Sequence, residues 1–203
     1  MSLSTFVVIT NITNLSDARY CAGMGVDILG FNLNDRSDQH LDPNDFKEIT
    51  DWIAGVDFAG EFGELDTPSL KIKLEEYNLQ YLILTNANQL EELADSNVKL
   101  IYRTQIADKT GLVHLSGELE YLGEFLAYLI VDAYPKEFES DLLNLIDSYQ
   151  GVSFIKCIEH SADRDLGSLA TWKGIALEGS EEEEPGFKDY GKVMDVLEQL
   201  EQD

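Results

Sequence analysis

The chain has 203 residues, 44% of them hydrophobic and 26% charged, which suits one soluble domain with a sizeable core. Its 39 acidic residues outnumber the 14 lysines and arginines, and the net charge of −25 makes nucleic acid and anionic membranes poor partners. No apolar run approaches the roughly 20 residues of a membrane span. The N-terminus lacks the basic and apolar regions of a signal peptide, and Cys21 and Cys157 do not suggest a disulfide framework, so we expect a cytoplasmic protein.

The first 33 residues predict a strand–helix–strand unit. Residues 6–10 form a β-branched run, Asn14 is a suitable helix cap, and apolar residues follow it at helical spacing. Gly25 ends the predicted helix, and residues 27–33 form a second strand. So short a βαβ unit favours a parallel sheet.

The same alternation continues to the end of the chain. Six more strands are predicted, over residues 56–62, 81–84, 98–102, 128–132, 152–157 and 174–177. The predicted helices cover about residues 43–55, 68–77, 88–94, 118–126, 138–149, 166–172 and 188–200. Residues 104–117 are harder to assign, and their LVHL segment is interpreted as a short extra strand. Eight strands alternating with helices predict a single-domain (β/α)8 TIM barrel over residues 1–203, and about 200 residues is the minimum length for that fold. The alternative is an open, doubly wound sheet.

Both ends of the chain resemble phosphoribosylanthranilate isomerase. The family's K-I-C-G-[IL]-T, D-A and A-G-A-D-x-[LV]-G-F segments are matched by Ile9, Ile12, Thr13, Asp17, Ala18, Gly25, Asp27, Leu29, Gly30 and Phe31. Its P-G-x-K-D segment is matched by Pro185, Gly186, Lys188 and Asp189. Residues 129–132 resemble its L-L-L-D strand. The resemblance implies a (β/α)8 barrel and an Amadori rearrangement of a phosphoribosylated anthranilate in tryptophan biosynthesis, without metal or organic cofactor.

The resemblance also locates the family's catalytic positions, of which one is retained. The cysteine that acts as base is replaced by Thr10, whose hydroxyl does not usefully deprotonate without an activating partner. The general acid corresponds to Asp132, which is also well placed to cap the loop before Pro135. The aspartate that contacts the ribose hydroxyls is replaced by Ala176, which accepts no hydrogen bond.

Substrate-binding positions of the family are altered in the same way. The arginine that meets the anthranilate carboxylate is replaced by Gln39, and the glycine-rich loops after strands six and seven are missing. Gly179 and Ser180 still offer backbone amides after strand eight. The four glutamates of residues 181–184 follow them at the predicted start of the last helix. We therefore expect poor affinity for phosphate.

Other polar residues near strand ends are weaker candidates for a site. Glu61, Arg103, Lys156 and His160 are candidates for a new polar site at the barrel mouth, although their orientation is open. Cys157 is either a relocated nucleophile or a buried thiol. The three histidines lack metal-ligand spacing, so no metal site is expected.

These substitutions favour a non-catalytic homologue with a binding or interaction role. One alternative is an active isomerase that uses Asp132 as general acid; another is a different enzyme at the barrel mouth. The partner, a small molecule or a protein, is not identified, and we expect a monomer or homodimer. The acidic surface indicates either solubility and salt tolerance or a cationic partner.

Overall fold

The computed structural model describes residues 2–158, 166–179, 182–184, 187–188 and 191–202. Eight parallel strands close into a barrel in sequence order: β1 (Phe6–Ile12), β2 (Ile28–Asn32), β3 (Asp57–Glu61), β4 (Tyr81–Leu84), β5 (Lys99–Thr104), β6 (Leu126–Val131), β7 (Ser153–Cys157) and β8 (Gly174–Glu178). The last strand pairs with the first, with Ala176 opposite Val8. The predicted barrel is confirmed, and this pairing excludes the open sheet.

The strands are connected mainly by helices, which surround the barrel. These are α1 (Leu15–Met24), α2 (Pro43–Thr50), α3 (Thr67–Glu76), α4 (Leu90–Leu93), α5 (Lys109–Gly123), α6 (Glu139–Ser148) and α7 (Gly191–Leu200). Short 3-10 helices cover Ala87–Gln89, Lys136–Phe138 and Leu166–Thr171. Ser2–Leu3 pairs with Glu201–Gln202, which joins the two ends of the described chain. No helix of the described residues has both the length and the apolar character to cross a membrane.

The predicted start and end signals of α1, Asn14 and Gly25, are confirmed by the structure. The side-chain oxygen of Asn14 accepts a hydrogen bond from the backbone N–H of Asp17 at 2.9 Å, which satisfies one of the free donors at the helix start. Gly25 ends the helix with φ of 83°, a left-handed conformation that glycine adopts without steric cost. The helix therefore begins and ends where its own residues dictate.

Two segments differ from the sequence-based prediction. The LVHL segment, residues 112–115, belongs to α5 and forms no strand, because Asp108 caps a helix there by accepting from Gly111 N–H at 2.9 Å. The acidic run also differs: Glu182–Glu184 pairs antiparallel with Phe187–Lys188, and α7 covers Gly191–Leu200. A Pro-Gly pair in the sequence between the two short strands favours a turn.

The barrel interior and the layer between strands and helices form two separate apolar cores. The interior core consists of Val8, Ile28, Ala59, Tyr81, Ile83, Ile101, Ile130, Ile155 and Ala176. Toward the N-terminal ends of the strands, the ring of Tyr128 packs against Phe6 and Tyr81, with centroids 4.9 and 5.9 Å apart. The larger core lies outside the strands, beneath the helices. Apolar residues fill the barrel below its C-terminal end, so polar groups that face inward collect at that end.

Candidate functional site

Strand alternation places a set of polar side chains at the C-terminal end of the barrel, here called the mouth. Side chains two residues apart on a strand share one face. Each member of the set lies two residues beyond an inward-facing apolar residue; the set is Thr10, Glu61, Arg103, Asp132, Cys157 and Glu178. The mouth thus brings together three carboxylates, one guanidinium, one thiol and one hydroxyl.

Arg103 is the centre of this group. Its Nε donates to Oδ1 of Asp132 at 2.6 Å, and its Nη1 lies 3.5 Å from Oε2 of Glu61. The three side chains are 17%, 31% and 21% exposed, respectively, so water screens their charges only in part. Hydrogen bonds between ionised partners are shorter and stronger than neutral ones. Asp132 therefore serves as the hydrogen-bond acceptor of an ion pair.

Glu61 extends the group toward β1. Its second oxygen, Oε1, accepts from the backbone N–H of Asn11 at 2.9 Å, and Asn11 has φ of 56°. The side chain of Asn32 donates to Oδ1 of Asn11 at 3.0 Å. Burial raises the pKa of Glu61, while the Asn11 N–H and Arg103 oppose that rise and the charge of Glu178 adds to it. Glu61 is held by partners on two other strands.

Thr10, which the resemblance aligns with the family's cysteine, is only 1% exposed. Its hydroxyl donates to the carbonyl of Leu177 at 3.4 Å, and its own carbonyl accepts from the N–H of Gly179 at 2.7 Å. The amide proton of Gly179 is thus engaged between β1 and the end of β8. Ser180 lies outside the described residues, so the phosphate-binding role of this pair stays a prediction.

Ala176 lies inside the barrel and is 1% exposed, among aliphatic neighbours. The next inward-facing position on β8 is Glu178, which is exposed at the mouth. A carboxylate therefore stands two residues beyond the position that the resemblance aligns with the family's ribose-binding aspartate. A carboxylate there adds negative charge to a mouth that already holds Glu61 and Asp132.

The thiol of Cys157 faces the mouth. Burial, with the charge of Asp132 as the next cause, raises its pKa to about 12. Burial also raises the pKa of Cys21, on α1, to about 12. Because the thiolate is the reactive species, neither cysteine is prepared to act as a nucleophile at neutral pH.

Lys156 lies on the opposite side of its strand from Cys157 and is 5% exposed. Its Nζ is 3.9 Å from Oε1 of Glu139 and 5.9 Å from the ring centroid of Tyr134, which stacks on Trp172. The hypothesis of a polar site at the mouth therefore holds for Glu61 and Arg103 and fails for Lys156. His160 lies outside the described residues.

Sequence reasoning missed Asn11, Asn32 and Glu178 as members of the mouth. Two-residue alternation from Ala176 was a signal for Glu178, and asparagine is among the residues that most readily adopt the left-handed backbone found at Asn11. Among the described residues, no group of three or more His, Cys, Asp or Glu side chains is arranged to hold a metal ion. The exposed Gln39 donates its backbone N–H to the hydroxyl of Ser37 at 3.2 Å.

No protein-family model matches the sequence, and no curated protein sequence matches it. Solved structures match along nearly the whole chain. A phosphoribosyl anthranilate isomerase in complex with reduced 1-(o-carboxyphenylamino)-1-deoxyribulose 5-phosphate is 17% identical, with a TM-score of 0.77 over 97% of this chain and 98% of that one. The isomerase from Thermotoga maritima is 18% identical, with a TM-score of 0.75 over 97% and 100%. The isomerase from Thermus thermophilus is 21% identical, with a TM-score of 0.73 over 96% and 98%.

At these identities the likeness is one of fold, and it supports the resemblance inferred from the two ends of the chain. The chain has the (β/α)8 barrel fold of the phosphoribosylanthranilate isomerases.

Proposed function

We propose that this chain is a homologue of phosphoribosylanthranilate isomerase that does not catalyse the isomerisation and has a binding or interaction role. The observation that carries the proposal is the ion pair of Arg103 with Asp132, at 2.6 Å. A general acid must present a proton to the substrate. Asp132 instead accepts a hydrogen bond from the guanidinium of Arg103, in a mouth whose other inward groups are mostly anionic or neutral.

The position of the base supports the same conclusion. A thiol of ordinary pKa is partly ionised near neutral pH, whereas a threonine hydroxyl is not. Thr10 is buried, and its hydroxyl is bonded to a strand carbonyl. Loss of a positioned base typically lowers a rate by about 10²–10⁴-fold, and the acid is engaged in addition.

The mouth also disfavours the sugar phosphate of that reaction. Glu61, Asp132 and Glu178 carry up to three negative charges against the single positive charge of Arg103. A phosphate dianion approaching this end meets like charge, and the amide of Gly179 already donates to Thr10. We expect weak or no binding of ribose 5-phosphate.

The test is a turnover assay with the phosphoribosylated anthranilate, run beside an isomerase of known activity. We expect substrate conversion no faster than in the absence of protein. We also expect no saturable binding heat when ribose 5-phosphate is titrated into the protein in a calorimeter. Turnover that saturates with substrate and disappears in Asp132→Asn would refute the proposal and establish the active-isomerase alternative. Subcellular fractionation and light scattering test the predicted cytoplasmic location and the monomeric or dimeric state.

A further inference from the structure

The outer face of α5 carries two exposed large apolar side chains. The inner face of this helix is buried through Leu112, Leu115, Leu119 and Leu122. On the opposite side Val113 is 63% exposed and Tyr121 is 46% exposed, and a Cβ added at Gly117 meets nothing within 4 Å. Residues four apart lie on one side of a helix, so Val113, Gly117 and Tyr121 form a continuous exposed strip, here called the α5 strip.

Carboxylates border the α5 strip. Helical spacing places Glu120 on one side, Glu118 on the other, and Glu124 just beyond Tyr121. The hydroxyl of Tyr121 donates to Oε2 of Glu91, on α4, at 3.3 Å. The α5 helix carries one lysine, Lys109, in its first turn. Four carboxylates therefore surround an exposed aliphatic and an exposed aromatic residue.

A cavity of about 590 Å³ adjoins this face where His114 and Glu118 line its wall. Other polar groups on its wall include Glu64, Asn86 and Asn88. Carboxylate and amide oxygens accept hydrogen bonds from a lysine ammonium or an arginine guanidinium. The cavity is thus chemically suited to a long basic side chain that reaches over from the α5 strip.

We propose that the α5 strip and this cavity form a docking surface for a basic amphipathic protein segment. Its apolar side chains would cover Val113 and Tyr121, and its lysines or arginines would pair with the bordering glutamates and enter the cavity. A second copy of the chain fits less well, because each copy brings the same carboxylates and a net charge of −25. This inference rests on the proposed interaction role and names the class of partner.

The test uses a fluorescently labelled helical peptide of leucine and lysine with one apolar face, and a scrambled peptide of the same composition. Binding is measured by fluorescence anisotropy at low and at physiological salt. The double variant Val113→Ser/Tyr121→Ser removes the apolar anchors without changing charge. The matched control is Ile72→Ser on α3, because Ile72 is also 63% exposed but lies on another helix, outside the α5 strip.

We expect the double variant to raise the Kd of the amphipathic peptide at least about tenfold, and Ile72→Ser to change it less than about twofold. Glu118→Gln/Glu120→Gln should weaken binding and reduce its salt dependence. The inference is wrong if the wild-type chain does not bind the amphipathic peptide, if the scrambled peptide binds equally well, or if Ile72→Ser weakens binding as much as the double variant.

The turnover assay on the same preparations separates the two proposals. If the chain neither binds the peptide nor turns over the substrate, the docking surface is refuted and the non-catalytic assignment is retained. Turnover abolished by Asp132→Asn removes the non-catalytic assignment, whatever the peptide does.

Discussion

Replacing Arg103 by methionine removes the guanidinium that joins Asp132 to Glu61, and we expect it to destabilise the barrel strongly. Methionine retains much of the side-chain volume, so the main loss is charge and hydrogen bonding. One short charge-assisted bond to Asp132 disappears, together with the longer contact to Glu61. Two carboxylates then face each other at the mouth without the cation between them.

The expected loss of unfolding free energy depends on how far Arg103, Asp132 and Glu61 are exposed to water. Removing one partner of a fully buried ion pair costs about 3–5 kcal/mol, and a hydrogen bond to a charged group contributes about 1.5–3 kcal/mol. Because these side chains are 17–31% exposed, water weakens the effect, and we expect a loss of about 2–4 kcal/mol. For a chain of this length that lowers Tm by roughly 5–12 °C.

The loss should also depend on pH. Burial and neighbouring carboxylates raise the pKa of Glu61 in the folded chain, so between its unfolded and folded pKa values the folded state holds more protons and stability falls as pH rises. Without Arg103 this penalty grows, so Arg103→Met should lose more stability at about pH 7.5 than at about pH 5. Adding Glu61→Gln, which keeps an acceptor for the N–H of Asn11, should recover about 1–2 kcal/mol at neutral pH.

The measurement is equilibrium urea unfolding followed by circular dichroism at both pH values. Lys47→Met is the control, because the Lys47–Asp51 pair on the surface is 70% and 60% exposed and should contribute less than about 0.5 kcal/mol. A loss below about 1 kcal/mol in Arg103→Met at neutral pH would refute the argument. A loss of the same size at both pH values would contradict its electrostatic basis.

Three further predictions concern the cysteines and two glycines. With thiol pKa values of about 12, Cys21 and Cys157 should react with a disulfide reagent at about pH 8 at least about 100-fold more slowly in the native chain than in urea; fast labelling of the native chain would contradict this. Gly174→Ala places a Cβ 2.0 Å from the carbonyl oxygen of Phe6 and should lower the unfolding free energy by about 1–3 kcal/mol or more. Gly117→Ala, in open space within α5, should raise it by about 0.5–1 kcal/mol, and the reverse order of these two variants would count against the packing argument.

The architecture was predictable because its signals are local. Alternating strands and helices, the Asn14 cap and the Gly25 terminator act over a few residues, and each works as the sequence indicates. The prediction failed at residues 112–115, because a short segment with three apolar residues out of four suits a strand and a half-buried helix equally well. There the cap at Asp108 and burial of the leucines of α5 decide for the helix.

The composition of the mouth was predictable only in part. The resemblance located Asp132, Thr10 and Ala176, and strand-end positions suggested Glu61 and Arg103, but Lys156, a candidate on the same ground, faces outward. A one-residue difference in strand register reverses which face a side chain occupies. Strand boundaries inferred from sequence are uncertain by more than one residue, so they do not decide which side chains face inward.

The sequence by itself determined the eight barrel strands, the net charge of −25 and the absence of a thiol at position 10, since these depend on composition and short-range pattern. Only the tertiary structure decided that Arg103 meets Asp132 and Glu61, which lie 29 and 42 residues away in the chain. Those contacts exist because the closed barrel directs the inward-facing residues of β3, β5 and the end of β6 to one mouth. Because these groups are partly removed from water at the mouth, the guanidinium and the carboxylates need one another to compensate for lost hydration.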